Sequence, residues 1–244
     1  MSSIKAVKKA TTKAVESLIS STPDILASFD STLSTHFATA SPSELETLYE
    51  SSLKPSPDAI NTPLISALSA YKDLLAQSIN NIQLLERFIA LHIPQMEDGN
   101  NFGVTVQMTV AKALKETRES LVKNMGALLS YYSQRADAVD KLALEKKTES
   151  ETSSTSKTES SVEGENKEGS SSSTEKKVIT VIDKGYPFRL MHLVALDVSA
   201  YFSAKSGLVE CFNDYLMVMD NVEKNKEKIT SPKGNGGSNS MGMY

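Results

Sequence analysis

IPQMEDGNNFGVTVQ, residues 93–107, stands between two long runs of helical periodicity. Helix-to-helix links are usually built from interchangeable polar residues, but the ten positions 94–103 include a proline, two acids, two glycines, two asparagines and a phenylalanine. Pro94 stops the preceding helix, because the residue before a proline is pushed out of the helical region. Gly99, Asn100 and Asn101 tolerate positive φ and bond back to their own backbone, so they shape a tight turn. Gly103 lets the chain leave without a side-chain clash, and Phe102 is placed to pin the loop to the structure beneath. The stretch predicts an ordered, shaped loop, and ordered loops on rigid scaffolds tend to carry function.

Outward from this loop the periodicity is 3.6 residues, and strand signals are nearly absent. The helix before it spans about 64–91, with Leu64, Ile65, Leu68, Tyr71, Leu75, Ile79, Ile82, Leu85, Phe88 and Ile89 on one stripe. The helix after it begins near Val104 and carries Val106, Val110, Leu114, Leu121, Met125, Leu128, Tyr132, Val139 and Leu142. An earlier helix carries Val15, Leu18, Ile19, Ile25, Leu26, Phe29, Leu33 and Phe37, with a kink or restart at Thr22-Pro23-Asp24. Residues 39–62 form a proline-marked connector holding one short helical piece, SELETLYESSL. Residues 146–177 contain no aromatic and a single aliphatic residue, Val162, so they read as a disordered low-complexity insert. A short extended piece and a helical turn follow. Asp197 then caps a last long helix running to about Ile229, with Leu208, Phe212, Tyr215, Leu216, Met219 and Val222 inward.

Four amphipathic helices bury four stripes most simply as an all-α, up-down-up-down four-helix bundle. The domain organisation expected is one domain: helices one to three over 1–145 with the loop at 94–103, the insert at 146–177, a short segment plus fourth helix at 178–230, and a flexible tail at 231–244. Alternating helix direction places the loop and the tail at one end of the bundle. The connector and the insert share the other.

Composition excludes several functions. The net charge is −4, which argues against a nucleic-acid partner, since phosphate neutralisation needs a basic face. No stretch approaches the roughly 20 apolar residues of a membrane span. The Lys- and Ser-rich start lacks a signal-peptide core; it is compatible with a transit peptide, but a soluble cytoplasmic or nuclear protein is the expectation. His36, His92 and His192 have no ligand spacing, so no metal site and no cofactor are expected. Cys211 is expected to be a buried, inert thiol, and Met217 and Met219 to be core residues. Glu97 and Asp98 are the only paired acids with a catalytic look, and turn-building explains them better. No catalytic residue is assigned, and the chain is not expected to be an enzyme.

The loop stretch resembles the activation loop of the REG, or 11S, proteasome activators. LLSYYSQRADAVDKL (128–142) is similar to that family's third helix, and HFATASPSELETLYESSL (36–53) to the end of its first helix and its connector. The ending NVEKNKEKITSPKG (221–234), with a tail closing in Met-Gly-Met-Tyr, resembles the family's last helix, its proline-basic-glycine step and its tyrosine terminus.

The resemblance implies a subunit of a homoheptameric ring that binds the outer (alpha) ring of the 20S core proteasome and opens its gate without ATP. Carried over by position, Pro94, Gln95, Met96, Glu97, Asp98, Gly99, Asn100, Asn101, Phe102 and Gly103 would form the activation loop. Ser240, Met241, Gly242, Met243 and Tyr244 would form the docking end, with Lys233 near the docking face. Gln95 departs from the family's usual basic residue. The low-complexity insert also lies between the third and fourth helices, whereas the family's alpha-type insert lies between the first two. The competing expectation is a helical scaffold or adaptor that offers the same loop and tail to a different partner.

Overall fold

Prolines and small polar side chains set where the helices begin. In the computed structural model, which describes residues 2–54, 56, 59–95, 102–146 and 186–233, the helices are α1 (Ser2–His36), α2 (Pro42–Leu53), α3 (Thr62–His92), α4 (Phe102–Lys146), α5 (Tyr186–Lys224) and α6 (Lys226–Thr230). No strand occurs among the described residues. The Ser41 hydroxyl accepts from the Glu44 amide at 3.5 Å just before Pro42, and Asn61 Oδ1 accepts from the Leu64 amide at 3.3 Å. Each satisfies one of the amides that a helix start leaves without an internal partner.

Side-chain pairings give the direction of each long helix. Phe29 meets Phe212 and Tyr215 with ring centroids 5.8 and 6.1 Å apart, and Phe37 meets Tyr201 at 5.2 Å. Rising numbers on α1 therefore pair with falling numbers on α5. Gln107 reaches His92 while Arg118 reaches Glu86, so α3 and α4 are also antiparallel. Asn61 pairs with Asp197 and Asn81 with Tyr215, which makes α3 and α5 parallel diagonal partners. This is the up-down-up-down bundle expected from the stripes. Phe29, Leu64, Leu75, Ile82, Leu85, Leu114, Leu121, Leu208 and Tyr215 are wholly buried at its centre. Each such side chain contributes about 1.5–3 kcal/mol relative to exposure. The short helix α2 buries Leu45, Tyr49 and Leu53, one turn apart, as a cover beside the bundle.

Three sequence expectations are corrected. First, α1 does not restart at Pro23 but runs on through it. The buried line Leu18, Ile25, Phe29 crosses the proline without a break, and the packing of both halves outweighs one missing backbone hydrogen bond. Second, Asp197 is not a helix cap. The α5 helix begins eleven residues earlier at Tyr186, because Leu190, Leu193 and Val194 extend its buried face, and Asp197 is fully buried within it. Third, the inner face of α4 turns: Tyr131 is buried and Tyr132 exposed, and beyond Leu128 the buried line runs through Tyr131, Ala138 and Leu142. Neighbouring helix positions point about 100° apart, so the choice between the two tyrosines is decided by what each can reach. Tyr131 reaches Asp197. On α5, Leu216 and Met217 are exposed, and of the two methionines only Met219 joins the core.

Residues 147–177 of the expected insert lie outside the described residues, as do 178–185. Among the described residues no helix is long and apolar enough to cross a membrane.

Candidate functional site

The loop leaves α3 where the sequence requires it to. His92 is the last helical residue, and Ile93 is already extended at ψ 123°, as a residue preceding proline must be. The His92 Nδ1–H donates to the Phe88 carbonyl at 2.7 Å, and the imidazole packs on the Phe88 ring at 4.4 Å. Pro94 and Gln95 follow, half-buried and exposed respectively. Met96, Glu97, Asp98, Gly99, Asn100 and Asn101 lie outside the described residues. The chain re-enters two residues earlier than expected, with Phe102 and Gly103 already in α4.

Phe102 is not a buried pin, since 63% of it is exposed. Gly103 holds this corner instead: a Cβ placed there would collide with the backbone of Pro232. The absence of a side chain is what lets the first turn of α4 lie directly on the chain leaving α6. One turn further along α4, Gln107 is completely buried. Its Nε2 donates to the His92 carbonyl at 2.9 Å and to the Ile229 carbonyl at 2.7 Å. Gln107 therefore bonds the end of α3 to the end of α6.

The tail is launched from a short, capped element. Asn225 breaks α5 from α6, and its Nδ2 donates to the Asn221 carbonyl and to Asn221 Oδ1, both at 2.8 Å. Ile229 is fully buried. The Ser231 amide donates to the Glu227 carbonyl at 2.8 Å, and Pro232 and an exposed Lys233 follow. Ser240, Met241, Gly242, Met243 and Tyr244 lie outside the described residues. Both roots of the loop and the base of the tail thus meet at one end of the bundle.

The opposite end is held by a buried ion pair. Arg135 Nε donates to Asp197 Oδ1 at 3.0 Å, and the Tyr131 hydroxyl donates to the same oxygen at 2.8 Å. Asn61 Nδ2 donates to Oδ2 at 3.0 Å, and Arg135 Nη2 donates to the Ala59 carbonyl at 2.9 Å. This network ties the connector to α4 and α5. Asp197 also helps to raise the Tyr49 and Tyr131 hydroxyls well above their ordinary values, although burial is the larger cause in both. Sequence reasoning assigned no role to Gln107 or Arg135. The available signal for Gln107 was a polar residue in register with Val110 and Leu114, at i+3 and i+7 on a buried stripe.

Among the described residues no group of three His, Cys, Asp or Glu side chains lies close enough to hold a metal. His36 and His92 are half-buried and His192 is exposed, each on a different helix. Cys211 is buried beside the Ser78 hydroxyl at 3.7 Å, as expected for an inert thiol, and burial pushes its pKa up to about 11.

The family described as proteasome activator PA28, C-terminal, matches residues 59–157, the region that contains α3, the loop and α4. Over that region the chain is similar to the PA28 family. Human and chicken proteins named proteasome activator complex subunit 3 are each 23% identical to it over 184 residues, covering 75% of this chain and 56% of theirs. The chain thus spans a little over half the length of these curated relatives. Among solved structures, the 11S subunit PA28 of the Plasmodium falciparum proteasome superposes with a TM-score of 0.62 at 19% identity, covering 94% of this chain and 92% of that one. A chain from the archaeal 20S proteasome–PA26 complex gives 0.64 at 16% identity, covering 98% and 99%. A chain from the complex of the yeast 20S proteasome with PA26 from Trypanosome brucei gives 0.63 at 14%, covering 97% and 98%. At such identities the superpositions establish the fold: a PA28-type helical bundle along nearly the whole chain.

Proposed function

We propose that this protein is an ATP-independent activator of the 20S core proteasome. Its tail, ending in Ser240 to Tyr244, docks on the outer alpha ring, and its loop, Pro94 to Gly103, presses the gate open. It cuts no bond itself and needs no cofactor; the proteasome hydrolyses the peptides. One observation carries the reading: the roots of the loop and the base of the tail are bonded together through Gln107 and packed together at Gly103. A scaffold that merely displayed two linkers would not need them in one frame.

The protein works in this proposal as a homoheptameric ring, cytoplasmic or nuclear. Val122, Leu129 and Tyr132 on α4, and Val209, Leu216 and Met217 on α5, are exposed apolar side chains that support burial against a second copy. A ring also explains how weak tails suffice. Ordering a glycine-rich tail opposes binding, and each engaged tail raises the effective concentration of the next.

Two variants test the division of roles in binding and peptidase assays with purified 20S proteasome. Removing Met243 and Tyr244 is expected to abolish binding. Asn100→Tyr or Asn101→Tyr is expected to leave binding intact and lose stimulation. If the loop variants also fail to bind, the assignment of docking to the tail and opening to the loop is wrong.

A further inference from the structure

Gln107 sits where an apolar residue would be simpler. It lies on the buried stripe of α4, one turn after Gly103, and no part of it is exposed. Its two amide protons go to carbonyls at the ends of two other helices, His92 on α3 and Ile229 on α6. The last carbonyls of a helix have no internal donor. At a surface, water would serve them and leave the two ends independent. Here one side chain serves both, across sequence separations of 15 and 122 residues. The orientation of the amide is fixed as well, because only Nε2 can face two acceptors. Oε1 is then buried with no partner among the described residues. An unpaired buried acceptor is destabilising, so the amide is poorly explained as a device for stability alone.

Gly103 adds the second half of the arrangement. It occupies the same face of α4, four residues before Gln107, and its missing side chain is filled by the Pro232 backbone. One face of α4 therefore fixes the end of α3, the start of α4 and the start of the tail in a single frame. Neither root of the loop can shift along the bundle axis without pulling on the tail base.

We infer that Gln107 is a positioning residue: it sets the height of the gate-opening loop relative to the docking tail. The inference rests on the proposed activator function for its consequence, though not for its geometry. With the clamp intact, tail docking places the loop against its target. With the clamp broken, the tails still dock, but the loop no longer stands at a fixed height above them.

The test uses the full chain carrying Gln107→Met, which keeps length and bulk but donates no hydrogen bond, and Gln107→Glu, which turns an acceptor toward two carbonyls. A control, Leu121→Ala, removes mid-bundle packing far from the clamp. Amide hydrogen exchange in the free protein is followed over 102–107 and 226–233. In both Gln107 variants exchange is expected to rise together in the two segments, by about tenfold or more, with α3 and α5 unchanged at mid-bundle. In peptidase assays the plateau of stimulation is expected to fall at least about fivefold. The half-saturating concentration is expected to stay within about threefold, because the tails themselves are intact. The inference is overturned if only one segment loosens, if neither does, or if Leu121→Ala produces the same fall in plateau. Should the wild-type chain stimulate no proteasome, the proposed function falls, and the exchange arm alone decides whether Gln107 couples the two ends.

Discussion

At the scale of single residues, the ion pair of Asp197 and Arg135 ties the connector to α4 and α5. Asp197 has no exposure, and three donors, Asn61 at the end of the connector and Tyr131 and Arg135 on α4, converge on it. Removing one partner of a buried ion pair is expected to destabilise by about 3–5 kcal/mol. Asp197→Asn should fall near the lower end, because Asn still accepts from Tyr131 and the Arg135 side chain keeps 13% exposure. Arg135→Met should cost more, since it leaves a buried carboxylate uncompensated. Chemical denaturation of both variants checks the order, and an Arg135→Met loss below about 1 kcal/mol would contradict the account. Neither residue was legible as a partner from sequence. Periodicity reports which face of a helix is apolar; it does not report what a polar residue on that face will meet 62 residues later. Asp197 was misread as a cap for that reason, since aspartate before an apolar run is a normal helix start. The pairing also decided between Tyr131 and Tyr132.

At the scale of elements, the long stripe of α3 was legible almost to the residue, because apolar spacing and flanking prolines agree there, whereas the stripe of α4 was legible only as far as Leu128. Pro94 ended α3 at His92 as expected. Pro23 gave the opposite outcome, with the same residue type inside a continuous helix. The difference is tertiary: Ile25 and Phe29 are buried beyond Pro23 and hold that helix together. Pro23 itself is exposed. Pro23→Ala should therefore lose no packing while regaining a backbone donor, raising stability by about 1–3 kcal/mol. A rise in Tm checks this, and an unchanged or lowered Tm would show that α1 uses the proline. The loop was legible as a loop, with its second root two residues off: Phe102 and Gly103 belong to α4, where Gly103 packs on the Pro232 backbone.

At the scale of the whole molecule, acids held neutral by burial set a limit on alkaline stability. The Cys211 thiol is pushed up to about 11 from an ordinary 9.0, mainly by burial and against the pull of the Ser78 hydrogen bond. Burial likewise raises Tyr215 to about 12, against the hydrogen bond from Asn81, and lifts Tyr49, Tyr71 and Tyr131 further. In each case the folded pKa lies above the unfolded one. The contribution to stability is therefore complete below pH 9.0 and is lost as pH rises toward 11. Thermal unfolding at fixed ionic strength should show no loss of Tm from these groups below pH 9.0 and a fall above it; a level profile through pH 11 would contradict the burial of these groups.

The molecule as a whole is read as a rigid frame that presents a loop and a tail together at one end. Helix alternation puts the roots of the loop and the base of the tail at that end, and Gln107 and Gly103 supply the contacts between them. The most direct test of that reading mixes the purified chain with 20S core proteasome and a fluorogenic peptide in the absence of nucleotide. A saturable rise in peptide hydrolysis with added chain is the result predicted. No rise at any concentration, with the chain folded, would contradict it.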